Sequence, residues 1–160
     1  MRASEKIIPL NELAAWREAQ RRAGRRIVVT NGCFDLLHAG HVTYLEAAAS
    51  QGDLLLVGVN GDAGVRELKG PTRPLNAEQD RALVLAALAS VGAVSIFPES
   101  TATSFLKLAA PDVYAKGGDY TIETLNAEER AVVQAAGGEF VFIPFLAGRS
   151  TSGLVNRMKG

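Results

Sequence analysis

Ile27-Val28-Val29-Thr30-Asn31-Gly32-Cys33-Phe34-Asp35-Leu36-Leu37-His38-Ala39-Gly40-His41 runs from a β-branched apolar stretch through a glycine-containing loop to both of the chain's histidines. A helical pattern follows at 42–50. The order strand, glycine loop, helix start makes an anion site. Backbone N–H groups and the positive end of the helix dipole point at whatever negative group sits there. Two imidazoles three residues apart across a helix start can face one side and donate to phosphate oxygens. There is no Walker lysine motif, so a nucleotide triphosphate would be held by this loop instead.

Outward from that stretch the pattern alternates. The sequence predicts strands at 26–30, 54–59, 93–97, 113–115 and 140–143. Helices are predicted at 10–23, 38–50, 63–68, 76–90, 101–110, 126–136 and 150–158, with Asn11, Asn76 with Gln79, and Asn126 with Glu129 as their starting caps. Continuous apolar strands between helices indicate a Rossmann-like, doubly wound α/β fold: a parallel five-stranded sheet with helices on both faces. Ligands in such folds bind beyond the carboxyl ends of the strands. The unusual loops at 31–41, 60–75, 116–121 and 146–152 all follow strands, so they converge on one edge. The chain reads as one domain, with residues 1–24 as an N-terminal helical extension and 25–158 as the nucleotide-binding core.

Composition narrows the classes. Of 160 residues, 48% are hydrophobic and 21% charged, which supports a packed core and excludes disorder. Lys+Arg and Asp+Glu both number 17, so the basic excess of a nucleic-acid partner is missing. The cluster Arg21, Arg22, Arg25, Arg26 fits the cation-favouring end of a surface helix. One cysteine, Cys33, permits no intrachain disulfide. No signal-peptide pattern or membrane span is visible, so a cytoplasmic location is expected.

Further constellations cluster in the post-strand loops. Lys69, beside Gly70 and Pro71, offers a point-charge ammonium to a phosphate. Gly117 and Gly118 let the backbone between Lys116 and Asp119 approach a ligand closely. Ser150, Thr151 and Ser152 open the last helix after Gly148 and Arg149, where hydroxyls and amides serve as caps or as a phosphate cradle. Asp35 and Asp62 are acceptors suited to sugar hydroxyls, although Asp62 also suits a turn or cap. Arg81 lies early in the 76–90 helix. Cys33 with two histidines is a thin zinc set, and no metal ligands are assigned.

The signature Gly32 to His41 resembles that of the HxGH nucleotidyltransferase superfamily, in its cytidylyltransferase-like branch. Val57-Gly58-Val59-Asn60-Gly61-Asp62, Leu68-Lys69-Gly70-Pro71, Lys116-Gly117-Gly118-Asp119-Tyr120 and Gly148-Arg149-Ser150-Thr151 resemble segments of the D-glycero-D-manno-heptose 1-phosphate adenylyltransferases. The resemblance covers residues 25–158 and suggests the form that stands alone rather than fused to a sugar kinase. It implies nucleotide contacts at Asn31, Gly32, Cys33, Phe34, His38, Gly40, His41, Lys116, Gly118, Asp119, Arg149, Ser150, Thr151 and Ser152. Ser152 stands where many relatives have threonine, and its hydroxyl is kept. Asn60, Asp35, Asp62, Lys69 and Arg81 would meet the sugar phosphate. Cys33 receives no catalytic role, and Phe34 and Trp16 also suit a core.

In the implied reaction a sugar 1-phosphate oxygen attacks the α-phosphorus of ATP and pyrophosphate leaves. His38, His41 and Lys69 stabilise charge, and Mg²⁺ rides on the triphosphate oxygens. ADP-heptose, a lipopolysaccharide core precursor, is the implied product, and a homodimer or higher assembly is expected. Alternatives on the same fold are GTP-dependent transfer to the α anomer, and cytidylyl or FMN adenylyl transfer. A non-catalytic nucleotide- or metal-binding module belongs to a different class.

Overall fold

The computed structural model describes residues 1–145 and 147–160. Five strands form one all-parallel sheet: β1 (Ile27–Gly32), β2 (Leu54–Asn60), β3 (Ala93–Phe97), β4 (Val113–Gly117) and β5 (Glu139–Ile143). Their order is β3-β2-β1-β4-β5. The helices are α1 (Leu13–Arg22), α2 (Ala39–Ala49), α3 (Asp62–Lys69), α4 (Glu78–Ala86), α5 (Thr103–Ala109), α6 (Ala127–Ala135) and α7 (Thr151–Lys159). No helix of the described residues is long and apolar enough to cross a membrane.

The unbroken apolar strands make sense because both faces of the sheet are covered. On one face, Val28, Val57 and Val94 pack with Tyr44 and Leu45 of α2 and Leu85 of α4. On the other, Ile27, Val29 and Leu56 pack with Leu13 of α1, Phe105 of α5 and Val133 of α6. Gly58 of β2 is required by that second layer, since a Cβ there would lie 2.5 Å from the Phe105 ring.

Residues 1–24 belong to the same core. Ile7 bridges Val94 in parallel, and Leu13 is fully buried. Arg17 donates to Ala110 O at 2.9 Å and to the Asp112 carboxylate at 2.8 Å. Trp16 packs against the second layer of its own chain. Asn11 does not cap α1: it lies inside a 3₁₀ turn, Leu10–Glu12, that leads into the helix.

Two predicted helix starts come out differently. Asn126 caps α6, accepting from the amides of Glu128 and Glu129. The Glu129 side chain does not return to that cap, but reaches across to Ala102 N at 2.8 Å. Asn76 does not cap α4, which starts after Ala77. Its side chain donates instead to Asp35 O at 2.8 Å. That helix also stops at Ala86 rather than at 90. The carbonyls of Leu88 and Val91 in the following turn accept from the Lys6 ammonium.

The chain reverses direction across the sheet between β1 and β4, and there the sheet opens. β1 pairs with β2 over six positions, but with β4 only at Val28 and Val29. Beyond them, side chains replace the ladder. The Tyr44 hydroxyl lies 2.7 Å from Thr30 Oγ1 and donates to Ala115 O at 3.1 Å. From the other face the Tyr114 hydroxyl donates to Asn31 Oδ1 at 2.7 Å.

Candidate active site

A cavity of about 570 Å³ sits over that opening, at the carboxyl ends of the strands. Loops after β1, β2, β3, β4 and β5 all reach it. Asn31, Gly32, Cys33, Phe34, Asp35 and His41 form its floor. Phe34 takes a left-handed φ of 47°, which turns the loop sharply; its ring is buried in the first core layer and borders the cavity.

The histidines sit together, their rings 4.0 Å apart. His38 caps α2, its Nδ1 accepting from Gly40 N at 3.1 Å. That bond puts the neutral ring's proton on Nε2, leaving Nε2–H as a donor. His41 stands one turn in, against Phe34, with Nδ1 buried and unpartnered among the described residues. Burial, then the neighbouring His38, pulls its pKa down to about 4. His38 is also lowered, by burial and then by the Arg149 charge. Both imidazoles are therefore neutral donors at pH 7 until an anion arrives.

The α2 start offers fewer free amides than its sequence suggests. Gly40 N is taken by His38 Nδ1, and the amides of His41 and Val42 donate to His38 O. The α7 start supplies others. Ser150 Oγ accepts from Gly153 N, while the amides of Thr151 and Ser152 find no partner among the described residues. Thr151 Oγ1 ties this helix to Leu36 O at 3.0 Å. The two helix starts nearly touch at Gly40, where a Cβ would fall 2.9 Å from Arg149 Cβ. The glycine of the histidine signature thus makes room for the Arg149 segment.

Lys69, exposed at the end of α3, borders the cavity beside Arg73. Lys116 borders it from β4 and does not pair with Asp119. Its ammonium lies 5.6 Å from the Tyr114 ring and 4.9 Å from the Tyr120 ring, and burial lowers its pKa. Gly118, at φ 79°, brings the backbone against the Phe145 ring, which would collide with any Cβ there. Asp119 is exposed and does not border the cavity, nor do His38, Gly40, Gly118, Arg149, Ser150 and Ser152.

Four residues expected to meet the sugar phosphate, Asp35, Asn60, Asp62 and Arg81, make hydrogen bonds within the protein itself. Both Asp35 oxygens are occupied, by the amides of Leu75 and Asn76 and by Arg73 Nε at 2.7 Å. Its pKa is lowered: burial pushes it up, but the two amides and Arg73 outweigh that. Arg81 is buried and donates to the carbonyls of Asn76, Cys33 and Asn60 and to Asp62 Oδ1. It clamps the ends of β1 and β2 together, and Asp62 is its counter-ion. Asn60 borders the cavity with its Nδ2 held by the carbonyls of Glu99 and Ser100. Cys33 stays a thiol, its pKa raised by burial.

Arg73, Tyr44, Asn126, Glu129 and Phe145 also border the cavity and escape sequence reasoning, while Tyr120 borders it from the quoted Lys116 segment. Arg73 sits in a loop with no periodic signal. Glu129 reads as a helix cap until the fold shows where it points.

A family model described as cytidylyltransferase-like matches residues 29–145. The bifunctional protein HldE of Mesorhizobium japonicum is 50% identical over 147 residues, covering 92% of this chain and 28% of that protein. HldE of Methylobacillus flagellatus is 50% identical over 155 residues, 97% of this chain and 31% of that protein. The chain thus spans about three-tenths of the length of these curated relatives. Among solved structures, a lipopolysaccharide core biosynthesis protein from Thermoplasma volcanium aligns with TM-score 0.63 and 26% identity, over 77% of this chain and 98% of that one. A pantoate-β-alanine ligase from Francisella tularensis aligns with TM-score 0.60 at 14% identity, over 91% and 68%, and shows the shared fold.

Proposed function

The chain belongs to the cytidylyltransferase-like family, and from that premise we propose that it transfers AMP from ATP to D-glycero-β-D-manno-heptose 1-phosphate, giving ADP-heptose and pyrophosphate. The observation carrying most weight is the pair of adjoining imidazoles at the α2 start, of which His41 borders the cavity, with Thr151 of the α7 start and the cationic side chains of Lys69, Arg73 and Lys116 around the same cavity. The choice of donor and acceptor draws on the heptose-enzyme segments in the sequence, the 50% identity to HldE proteins and the structural likeness to a lipopolysaccharide core protein.

A sugar-phosphate oxygen attacks the α-phosphorus in line. A new P–O bond forms, the bond to the bridging oxygen breaks, and that oxygen leaves with pyrophosphate. The nucleophile is already an anion near neutral pH, so no general base is needed. The protein's task is positioning and stabilising charge. His38 and His41 donate to the α-phosphate and the departing pyrophosphate. The amide of Thr151 at the cavity, with the Ser152 amide and Arg149 beyond its edge, holds the outer phosphates. Lys69 and Arg73 balance the incoming phosphate. Mg²⁺ would ride on the triphosphate oxygens and offset their charge.

Pyrophosphate release with Mg²⁺, offering ATP, GTP and CTP in turn with the β and α anomers of the heptose 1-phosphate, tests the proposal. ATP with the β anomer is expected to be the productive pair. Release only with GTP and the α anomer, or only with CTP and a non-sugar phosphate, would overturn the assignment.

A further inference from the structure

Resting on adenylyl transfer as proposed, we infer that Glu129, with Asn126 beside it, is the element that recognises the hydroxyls of the acceptor sugar. Two carboxylates border the cavity, Asp35 and Glu129. Asp35 has no acceptor site left, because four hydrogen bonds from Arg73, Leu75 and Asn76 occupy both oxygens. Glu129 is different. It is 7% exposed, and its Oε1 accepts from Ala102 N at 2.8 Å. Its Oε2 has only the Tyr114 hydroxyl, at 3.4 Å. That hydroxyl has one proton, and Asn31 Oδ1 takes it at 2.7 Å. No salt bridge reaches Glu129 among the described residues; the Lys116 ammonium on the same cavity attracts it only from longer range. A buried carboxylate oxygen beside a cavity and short of donors is costly unless a ligand supplies them.

Asn126 complements it. Its Oδ1 is used as the α6 cap, while Nδ2 takes no partner among the described residues. An acceptor and an amide donor three residues apart match neighbouring sugar hydroxyls, each of which donates and accepts. The remaining walls suit the other substrate parts. His41, Lys69, Arg73 and Thr151 favour phosphate, and the rings of Tyr120 and Phe145 beside Gly117 favour a flat base. A polyhydroxylated acceptor finds its counterpart at the start of α6, which an acceptor lacking adjacent hydroxyls would leave unsatisfied.

The test compares E129Q and N126D with the unaltered chain, using ATP and D-glycero-β-D-manno-heptose 1-phosphate, with thermal unfolding as the check on folding. E129Q keeps an oxygen for Ala102 N but turns the cavity-side acceptor into a donor. N126D keeps the cap and loses the amide donor. Each is expected to raise KM for the sugar phosphate about tenfold, the scale of one charge-assisted hydrogen bond, with KM for ATP within about twofold. An unchanged sugar-phosphate KM in folded variants assigns Glu129 to holding α5 and α6 together and overturns the inference. A rise in ATP KM instead assigns the pair to the ribose and also overturns it. If E129Q does not fold, N126D carries the same test. No pyrophosphate release from the unaltered chain with any sugar 1-phosphate would instead sink the underlying reaction.

Discussion

His41 holds Nδ1 in a buried position without a partner and has a pKa of about 4, against an ordinary histidine value of 6.5. Between these two values the unfolded chain binds a proton that the native chain does not. Stability of the unliganded protein therefore falls as pH drops from 6.5 toward 4. A bound triphosphate reverses the electrostatics and raises the imidazole pKa. With only two histidines in the chain, ring-proton NMR titration resolves both. His41 is expected to titrate near 4 in free protein and to move up when Mg²⁺ and ATP are added. A His41 that titrates near 6.5 in both states would contradict this account of the site. The histidines are legible in sequence because their spacing and neighbours are local. The roles of Asp35 and Glu129 are not, because their partners lie 38 to 41 and 27 residues away.

Elements were legible where the determinants are local. Unbroken β-branched runs mark the strands, and Asn126 caps α6 through amides two and three residues on. Asn76 has the same local pattern and fails, because Asp35 takes its amide and receives its side chain from across the site. Arg81 shows how the elements around the cavity are joined: one guanidinium serves the signature loop, the end of β2, the start of α3 and the loop before α4. Arg81→Met removes that clamp with similar bulk but leaves three carbonyls and Asp62 without their donor. Chemical denaturation is expected to show a loss of about 3 kcal/mol or more. A loss below about 1 kcal/mol would mean that these groups find water or other partners.

At the scale of the molecule, an alternating pattern of strands and helices specifies a doubly wound parallel sheet, but not which strands separate. The order β3-β2-β1-β4-β5 places β1 beside β4 with only two paired positions. The cavity opens because Tyr44 and Tyr114 stand in that gap in place of backbone pairing. Loops distant in sequence thereby surround one cavity, and Arg81 and Asp62, expected from the sequence at the sugar phosphate, pair with each other and hold those loops in place. The central claim is that neutral imidazoles at the α2 start supply the charge stabilisation for adenylyl transfer. Its most direct test is the rate of pyrophosphate release from ATP and the heptose 1-phosphate by the unaltered chain and by His41→Ala, with folding of both checked by circular dichroism. Turnover is predicted to fall by about 10²–10³, the scale of one preorganised donor. Equal rates from two folded proteins would contradict it.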